Sequence, residues 1–313
     1  MSAPDVRLLL DPCRCCVRRC GARRSAGERG FCGLDDRAHT LKTFVNCGEE
    51  AWIGPSLMVY FTGCNMRCLY CSVPACFAGD RAECRPADPE AIAREADAAF
   101  ERGDIAAIQF LGGEPSCSAA AALDIAAHCK LRVRKVWNSN FTFTPELFEH
   151  LDPVIDRYVA DLKFGNDACA EKLGGLSGYL ETVLGNLHRV KPEKLLIRHL
   201  MLGGHYDCCT RPVLDILKRE FPDVPVGFHE LIPDAAGRTR PPSPEEWRRL
   251  ERDAAGLRRV HTGTDPRGGR TPGENFTSEI VIRPDGTLLV QDLSVPVRKM
   301  FDELDIAIRK EPS

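Results

Sequence analysis

Short apolar runs bounded by turn residues recur along the chain from residue 56 onward, and stretches patterned at helical period separate them. The first run, Ser-Leu-Met-Val-Tyr-Phe at 56–61, lacks a polar face, as a strand covered on both sides does. Similar runs at 106–111, 135–137, 158–162, 195–200 and 226–231 predict five further strands. Between them, DPEAIAREADAAFERG opens at Asp88, a capping residue followed by Pro89 at the first helical position, and stops at Gly103. Helices are also predicted at 119–130, 145–150, 178–190, 211–220 and 244–255. Such alternation builds a parallel sheet covered by helices, an α/β fold. Six strands are too few to close an eight-stranded barrel, so an open one is expected.

The two ends read differently. Residues 1–50 are rich in cysteine and arginine and show little periodicity. Residues 278–292 alternate around Pro284-Asp285-Gly286 and predict a β-hairpin, and 295–309 predict a last helix covering an open end of the barrel. Segments 233–244 and 263–273, rich in Pro, Gly and Arg, read as linker or lid. The expected organisation is a Cys-rich metal-binding segment (1–50), a barrel (51–235) and a C-terminal extension closing it (236–313).

Composition narrows the partners. With 43% hydrophobic and 28% charged residues in 313, the chain is of ordinary globular type, and its net charge of −3 gives no global attraction to nucleic acid or anionic lipid. No apolar run approaches the roughly 20 residues of a membrane helix, and no secretory signal is visible. Sixteen cysteines in a chain without a signal argue for metal ligation in a reducing cytoplasm. The arginines at 14, 18, 19, 23, 24 and 29 read as a solvated basic edge.

Cys64, Cys68 and Cys71 supply three thiolates from one loop, directly after the first predicted strand. That is where α/β barrels carry their chemistry. A closed iron–sulfur cube takes four ligands, so three leave one iron open. Structural zinc, the alternative for soft thiolates, wants a fourth ligand nearby. The C-x3-C-x2-C spacing, with Tyr70 just before the third cysteine, resembles the radical S-adenosylmethionine (SAM) superfamily. The resemblance implies a partial (β/α)6 TIM-like barrel and a [4Fe–4S] cluster whose open iron is chelated by SAM. It further implies reductive cleavage of SAM to a 5′-deoxyadenosyl radical that abstracts hydrogen from a substrate. A reductant protein such as flavodoxin or ferredoxin is the implied electron donor.

Gly112-Gly113-Glu114 after the second strand resembles the superfamily's GGE element, which implies binding of the SAM amino group. Asn138, Ser139 and Asn140 end the third strand and suit a ribose or carboxylate. Asp161 and Lys163, ending the fourth, and Arg198 and His199, ending the fifth, resemble elements of glycyl-radical-enzyme activating proteins, which implies a place beside SAM. Their plainer readings are an ion pair on one strand face and a hydrogen-bonded core histidine. Cys13, Cys16, Cys20 and Cys32 offer a second, four-thiolate site for zinc or iron–sulfur. With Gly27-Glu28-Arg29-Gly30-Phe31-Cys32, they resemble a branch similar to pyruvate formate-lyase activating enzymes, though Val17 replaces its proline and Gly203-Gly204 its Pro-Gly. Of the nine other cysteines, Cys76 and Cys84 follow the three-cysteine loop and Cys208 and Cys209 the fifth strand, so some could face the cavity; buried inert thiols are the commoner fate. The expected enzyme activates a glycyl radical protein or modifies a small molecule or peptide; the alternative from another class is a non-catalytic iron–sulfur or zinc protein.

Overall fold

The computed structural model describes residues 5–46, 53–71, 84–230, 239–262, 278–282 and 288–292. Its strands are β1 (His39–Asn46), β2 (Ser56–Phe61), β3 (Arg85–Pro86), β4 (Ala107–Gly112), β5 (Arg134–Ser139), β6 (Arg157–Asp161), β7 (Leu195–Met201), β8 (Val226–Glu230), β9 (Arg259–Thr262), β10 (Ser278–Ile282) and β11 (Leu288–Asp292). Its α-helices are α1 (Pro89–Glu101), α2 (Ala119–His128), α3 (Pro145–Leu151), α4 (Asp167–Gly174), α5 (Tyr179–Arg189), α6 (Arg211–Glu220) and α7 (Pro244–Asp253). One sheet runs in the order β11-β10-β9-β8-β7-β6-β5-β4-β2-β1-β3. From β2 to β9 every pairing in that order is parallel, and β1, β3, β10 and β11 join antiparallel at the two edges.

This is the expected partial TIM-like barrel, with all six predicted strands in sequence order. The seventh parallel strand, β9, was not expected, because Arg-Val-His-Thr is short and half polar. Nor was β1, an edge strand inside the segment read as aperiodic. It pairs with β2 from Thr40↔Phe61 to Asn46↔Ser56, so the sheet begins before residue 50. Its exposed face shows no apolar alternation to read; Phe44 stacks on Tyr60 at 5.7 Å with the Lys42 ammonium above both rings. The predicted hairpin is β10–β11, in register from Ser278↔Asp292 to Ile282↔Leu288. The predicted last helix, segment 263–273 and residues 233–238 of the other linker lie outside the described residues.

Strand alternation divides the core in two. Leu57, Val59, Phe61, Ile108, Phe110, Trp137 and Ile197 point outward and pack with helix residues such as Ala96, Ile125, Leu147 and Leu217. Ala107, Val136, Val159 and Leu196 point inward and meet only one another and Ile53, plugging the barrel floor. Above that floor the inward positions turn polar: Asn138 Nδ2 donates to Gln109 Oε1 at 2.8 Å, and Gln109 Nε2 reaches Met58 Sδ at 3.0 Å. The helices begin where the strands end, on side-chain caps: Asp88 accepts from the Ala91 N–H, Thr144 from Leu147 and Asn166 from Cys169. Helix α4, not predicted from the sequence, is short and stops at Gly175 with φ +65°.

Candidate functional site

The cysteine loop leaves β2 through Thr62-Gly63 and is stitched at once to the end of β4. The Gly113 N–H donates to the Phe61 carbonyl at 2.9 Å, and the Glu114 N–H to the Gly63 carbonyl at 2.8 Å. A Cβ on Gly112 would lie 2.2 Å from the Phe61 oxygen, and one on Gly113 would lie 2.2 Å from the Gly63 oxygen. These glycines therefore let two strand ends touch, where the sequence suggested room for a ligand. Gly113→Ala is expected to destabilise the chain by about 3 kcal/mol, since the obstacle is backbone and cannot rotate away. Urea unfolding of the purified chain measures it.

Glu114 is buried, and its carboxylate is already occupied. Oε1 accepts from the Ser116 N–H at 3.1 Å, from the Ser116 hydroxyl and from the Ser139 hydroxyl at 2.7 Å, and Oε2 accepts from the Asn140 N–H at 2.9 Å. Burial pushes its pKa up against the pull of those donors. Within the protein, this carboxylate ties β4, the turn after it and the end of β5 together. Asn140 extends the network: its Nδ2 donates to Asn65 Oδ1 at 2.8 Å, inside the cysteine loop itself.

Within the loop, Cys64 is buried and Cys68 and Cys71 are half-buried. Burial and then the Glu114 charge push the Cys64 thiol up, while the Met66 N–H, 3.4 Å from its sulfur, pulls the other way. Cys68 is also pushed up by burial, opposed by the Lys163 ammonium. Lys163 Nζ sits 2.6 Å from Asp161 Oδ2. Burial works to lower the Lys163 pKa, but Asp161 and then Cys68 outweigh it, and the amine is held above its ordinary value as a fixed cation. Tyr70 packs edge-on to Phe164 at 6.1 Å, and its hydroxyl is buried beside Cys68. Among the described residues, the three sulfurs do not form a set lying within 4.8 Å of one another, the spacing that a single metal ion would require.

Arg198 and His199 part company. Arg198 shares the inward parity of Leu196 and is in register with Asp161, so it belongs to the barrel mouth. His199 points outward, buried, with Nδ1 2.8 Å from the Leu162 carbonyl and Nε2 3.0 Å from the Thr210 hydroxyl. A carbonyl only accepts, so the proton resides on Nδ1 and both ring nitrogens are satisfied. The plainer reading of a core histidine is the one the geometry matches. Burial depresses its pKa from 6.5 to about 4. The unfolded chain therefore binds the extra proton between those values, and stability should fall as pH drops from about 6.5 to about 4. His199→Asn keeps a donor for Leu162 and removes the titration, so its thermal midpoint should decline less over that window.

The N-terminal segment is built onto this site. Cys16 bridges Phe143, the Val17 N–H donates to Thr142 O at 2.8 Å, and Arg18 Nε donates to Asn65 O at 2.9 Å. Phe31 lies between the Arg18 and Arg67 guanidinium groups at 4.0 and 4.3 Å, and Arg67 Nη1 donates to the Cys64 carbonyl at 2.7 Å. Cys13, Cys16 and Cys32 are buried and Cys20 is exposed. Among the described residues, these four sulfurs also do not gather within 4.8 Å. The Cys15 thiol donates to the Leu9 carbonyl at 3.5 Å, and the neighbouring Cys15 and Cys117 pull the pKa values of Cys13 and Cys32 down against burial. Cys15 and Cys117 thus join the cluster unforeseen, although the Cys-Arg-Cys-Cys run at 13–16 and the place of Cys117 three residues after Glu114 were visible signals.

Of the six arginines read as a solvated basic edge, Arg14, Arg19, Arg23 and Arg29 are exposed, while Arg18 is half-buried and Arg24 is drawn into the interior. Arg24 is 2% exposed, with its guanidinium donating to the Asp35 carbonyl at 2.9 and 2.6 Å and to the Cys117 carbonyl at 2.9 Å. Arg19 pairs with Glu146 and Arg23 with Glu28. Sequence could not foresee this, because Asp35, Cys117 and Glu146 are brought in by the fold.

The family model of the radical SAM superfamily matches residues 58–217, and the chain belongs to that superfamily. A [4Fe–4S] cluster and SAM are the cofactors of that superfamily. An uncharacterized protein of Methanocaldococcus jannaschii is 30% identical over 219 residues, 66% of this chain; the chain spans 62% of that relative's length. A radical SAM methyltransferase from Sphaerobacter thermophilus superposes with a TM-score of 0.53 at 17% identity, over 66% of this chain and 65% of that one, a likeness of fold. A domain of a pyruvate-formate lyase-activating enzyme from Bacteroides vulgatus gives 0.41 at 18%, over 52% and 99%.

The residues present fit the cluster. Three thiols share one loop, a backbone N–H and a fixed ammonium face two of them, and the Tyr70 phenol is buried beside Cys68. No helix among the described residues is long and apolar enough to cross a membrane.

Proposed function

We propose that this chain reductively cleaves SAM and uses the resulting carbon radical to abstract hydrogen from a substrate, with a glycyl radical protein as the substrate class. Cys64, Cys68 and Cys71 would hold the cluster. The observation carrying this reading is the meeting of the three-cysteine loop with the half-buried Lys163–Asp161 pair at one end of the parallel strands. When bound, the cluster supplies the electron that breaks a carbon–sulfur bond of SAM.

The chain's own residues hold, compensate and exclude. Lys163 keeps a positive charge beside Cys68, offsetting the negative charge that three thiolates bring into a half-buried loop. Glu114 locks the ends of β4 and β5 against that loop, so the SAM amino group is left to the backbone around Gly112 and Gly113. Asn138, inward on β5, and Arg198, inward on β7, present polar groups above the apolar floor of Ala107, Val136, Val159 and Leu196. That floor keeps water from reaching a radical from below, and hydrogen transfer requires the substrate within contact distance at the opposite, strand-end mouth.

The glycyl-radical assignment rests on the resemblance of Asp161-x-Lys163 and Arg198-His199 to the activating proteins, and His199 weakens it by serving the core. Anaerobic reconstitution with iron and sulfide, followed by dithionite and SAM, should yield 5′-deoxyadenosine. A flavodoxin or ferredoxin should replace dithionite. Mixing with a glycyl radical protein should then give a protein-based electron paramagnetic resonance signal. No 5′-deoxyadenosine would refute the enzymatic reading; 5′-deoxyadenosine without the protein signal would move the substrate to a small molecule or peptide.

A further inference from the structure

Cys169, His205 and Cys208 take no part in the proposed reaction, yet they form the one trio of metal-ligating side chains among the described residues whose ligand atoms all lie within 4.8 Å of one another. They arrive from two elements. Cys169 stands in the first turn of α4, after β6, while His205 and Cys208 belong to the wide turn around Tyr206–Thr210 that links β7 to α6.

The convergence is held by groups other than the trio. Asn166 caps α4 by accepting from the Cys169 N–H at 2.8 Å, and its Nδ2 donates to the Cys208 carbonyl. One side chain therefore pins both ligand-bearing segments. The wide turn is closed from within by the Cys209 and Thr210 N–H groups, which donate to the His205 carbonyl at 2.9 and 3.2 Å.

The spacing suits one small ion. His205 Nδ1 lies 3.4 Å from Cys208 Sγ. Tetrahedral zinc, with Zn–S about 2.3 Å and Zn–N about 2.0 Å, sets such a pair of ligands roughly 3.5 Å apart. A cube would need its ligand sulfurs spread over the cluster's edges. Two thiolates and an imidazole also make the borderline-soft donor set that zinc prefers.

We propose that Cys169 Sγ, His205 Nδ1 and Cys208 Sγ form a zinc site with an open fourth position. On binding, the two thiols release their protons to solvent, and His205 binds as neutral imidazole with its proton on Nε2. Cys209 does not complete the shell: although it neighbours Cys169, its sulfur does not lie within 4.8 Å of all three ligand atoms, and it reaches the Lys163 carbonyl at 3.8 Å. Cys169 is buried and Cys208 exposed, so the open position, for which no fourth ligand lies close enough among the described residues, faces solvent. Water, or a donor atom of a substrate or partner, would fill it. The site joins the β6 and β7 loops and stands whether or not the radical chemistry does.

Zinc content settles the matter. The full chain, prepared anaerobically under reducing conditions, is saturated with Zn(II), desalted and analysed beside Cys208→Ser, His205→Asn and Cys129→Ser. The first two should each lose one equivalent of zinc, and the remote Cys129→Ser none. With Co(II) in place of zinc, the thiolate-to-cobalt charge-transfer band should fall in the same two variants. Circular dichroism verifies that they are folded, which the exposure of Cys208 favours. Equal metal content in all four proteins would overturn the proposal, as would a Cys169–Cys208 disulfide in the chain as purified.

Discussion

Cys64→Ser should leave the purified, reconstituted chain without its iron–sulfur absorbance and reduce 5′-deoxyadenosine formation to the level of a control without protein. Serine is nearly the same size, so the fold should survive, but its hydroxyl does not ionise near neutral pH and offers iron a hard donor in place of a soft one. Cys64 is the most sheltered of the three, with its loop clamped by the Gly63–Glu114 hydrogen bond and by Arg67 on its own carbonyl. It cannot be replaced by a neighbouring cysteine without undoing that clamp. Cys68→Ser and Cys71→Ser should give the same loss. Cys129→Ser is the control: Cys129 follows α2 and precedes β5, at the opposite end of the sheet, so its variant should keep both iron and activity. Retention of a full cluster by Cys64→Ser would mean that the ligand loop has been misassigned.

How much of this was legible in the sequence depended on whether the cause was local. The six central strands announce themselves because both faces of a covered parallel strand are apolar, and helices α1 and α3 because Asp88-Pro89 and Thr144-Pro145 mark their starts. The strand β1 could not be read, since an exposed edge carries Thr, Lys and Asn where a core strand carries Val and Ile. At the site, the three cysteines were legible because their ligands lie in one short loop. The parity of Arg198 and His199 could have been read too: with Leu196 inward, His199 must point outward, away from the mouth. The zinc trio could not, because Cys169 meets His205 and Cys208 only once β6 and β7 lie side by side. Nor could the meeting of Cys32 with Cys117, which lies across the contact between the N-terminal segment and the turn after β4.

Glu114→Ala should cost the chain about 4 kcal/mol of stability, the largest effect expected from any single change near the site that leaves the cysteines intact. Four donors converge on this one buried carboxylate, and they do not fare alike when it goes. The Ser116 and Ser139 hydroxyls can turn to other acceptors; Ser139 already accepts from the Phe141 N–H at 3.0 Å. The Ser116 and Asn140 N–H groups are fixed by the backbone and would be left buried and unpaired, at about 2 kcal/mol each. Glu114→Gln separates charge from geometry. Its amide oxygen can serve one backbone N–H, but its NH2 must then face the other, so about half the penalty, roughly 2 kcal/mol, should remain. The neutral amide also escapes the burial cost that pushes the Glu114 pKa upward, which works in its favour. Urea unfolding of the three proteins should therefore rank them in the order Glu, Gln, Ala. If the carboxylate served chiefly to bind the SAM amino group, both variants would unfold like the parent and lose SAM affinity alone. The two outcomes assign Glu114 either to the clamp that shapes the site or to the cofactor itself.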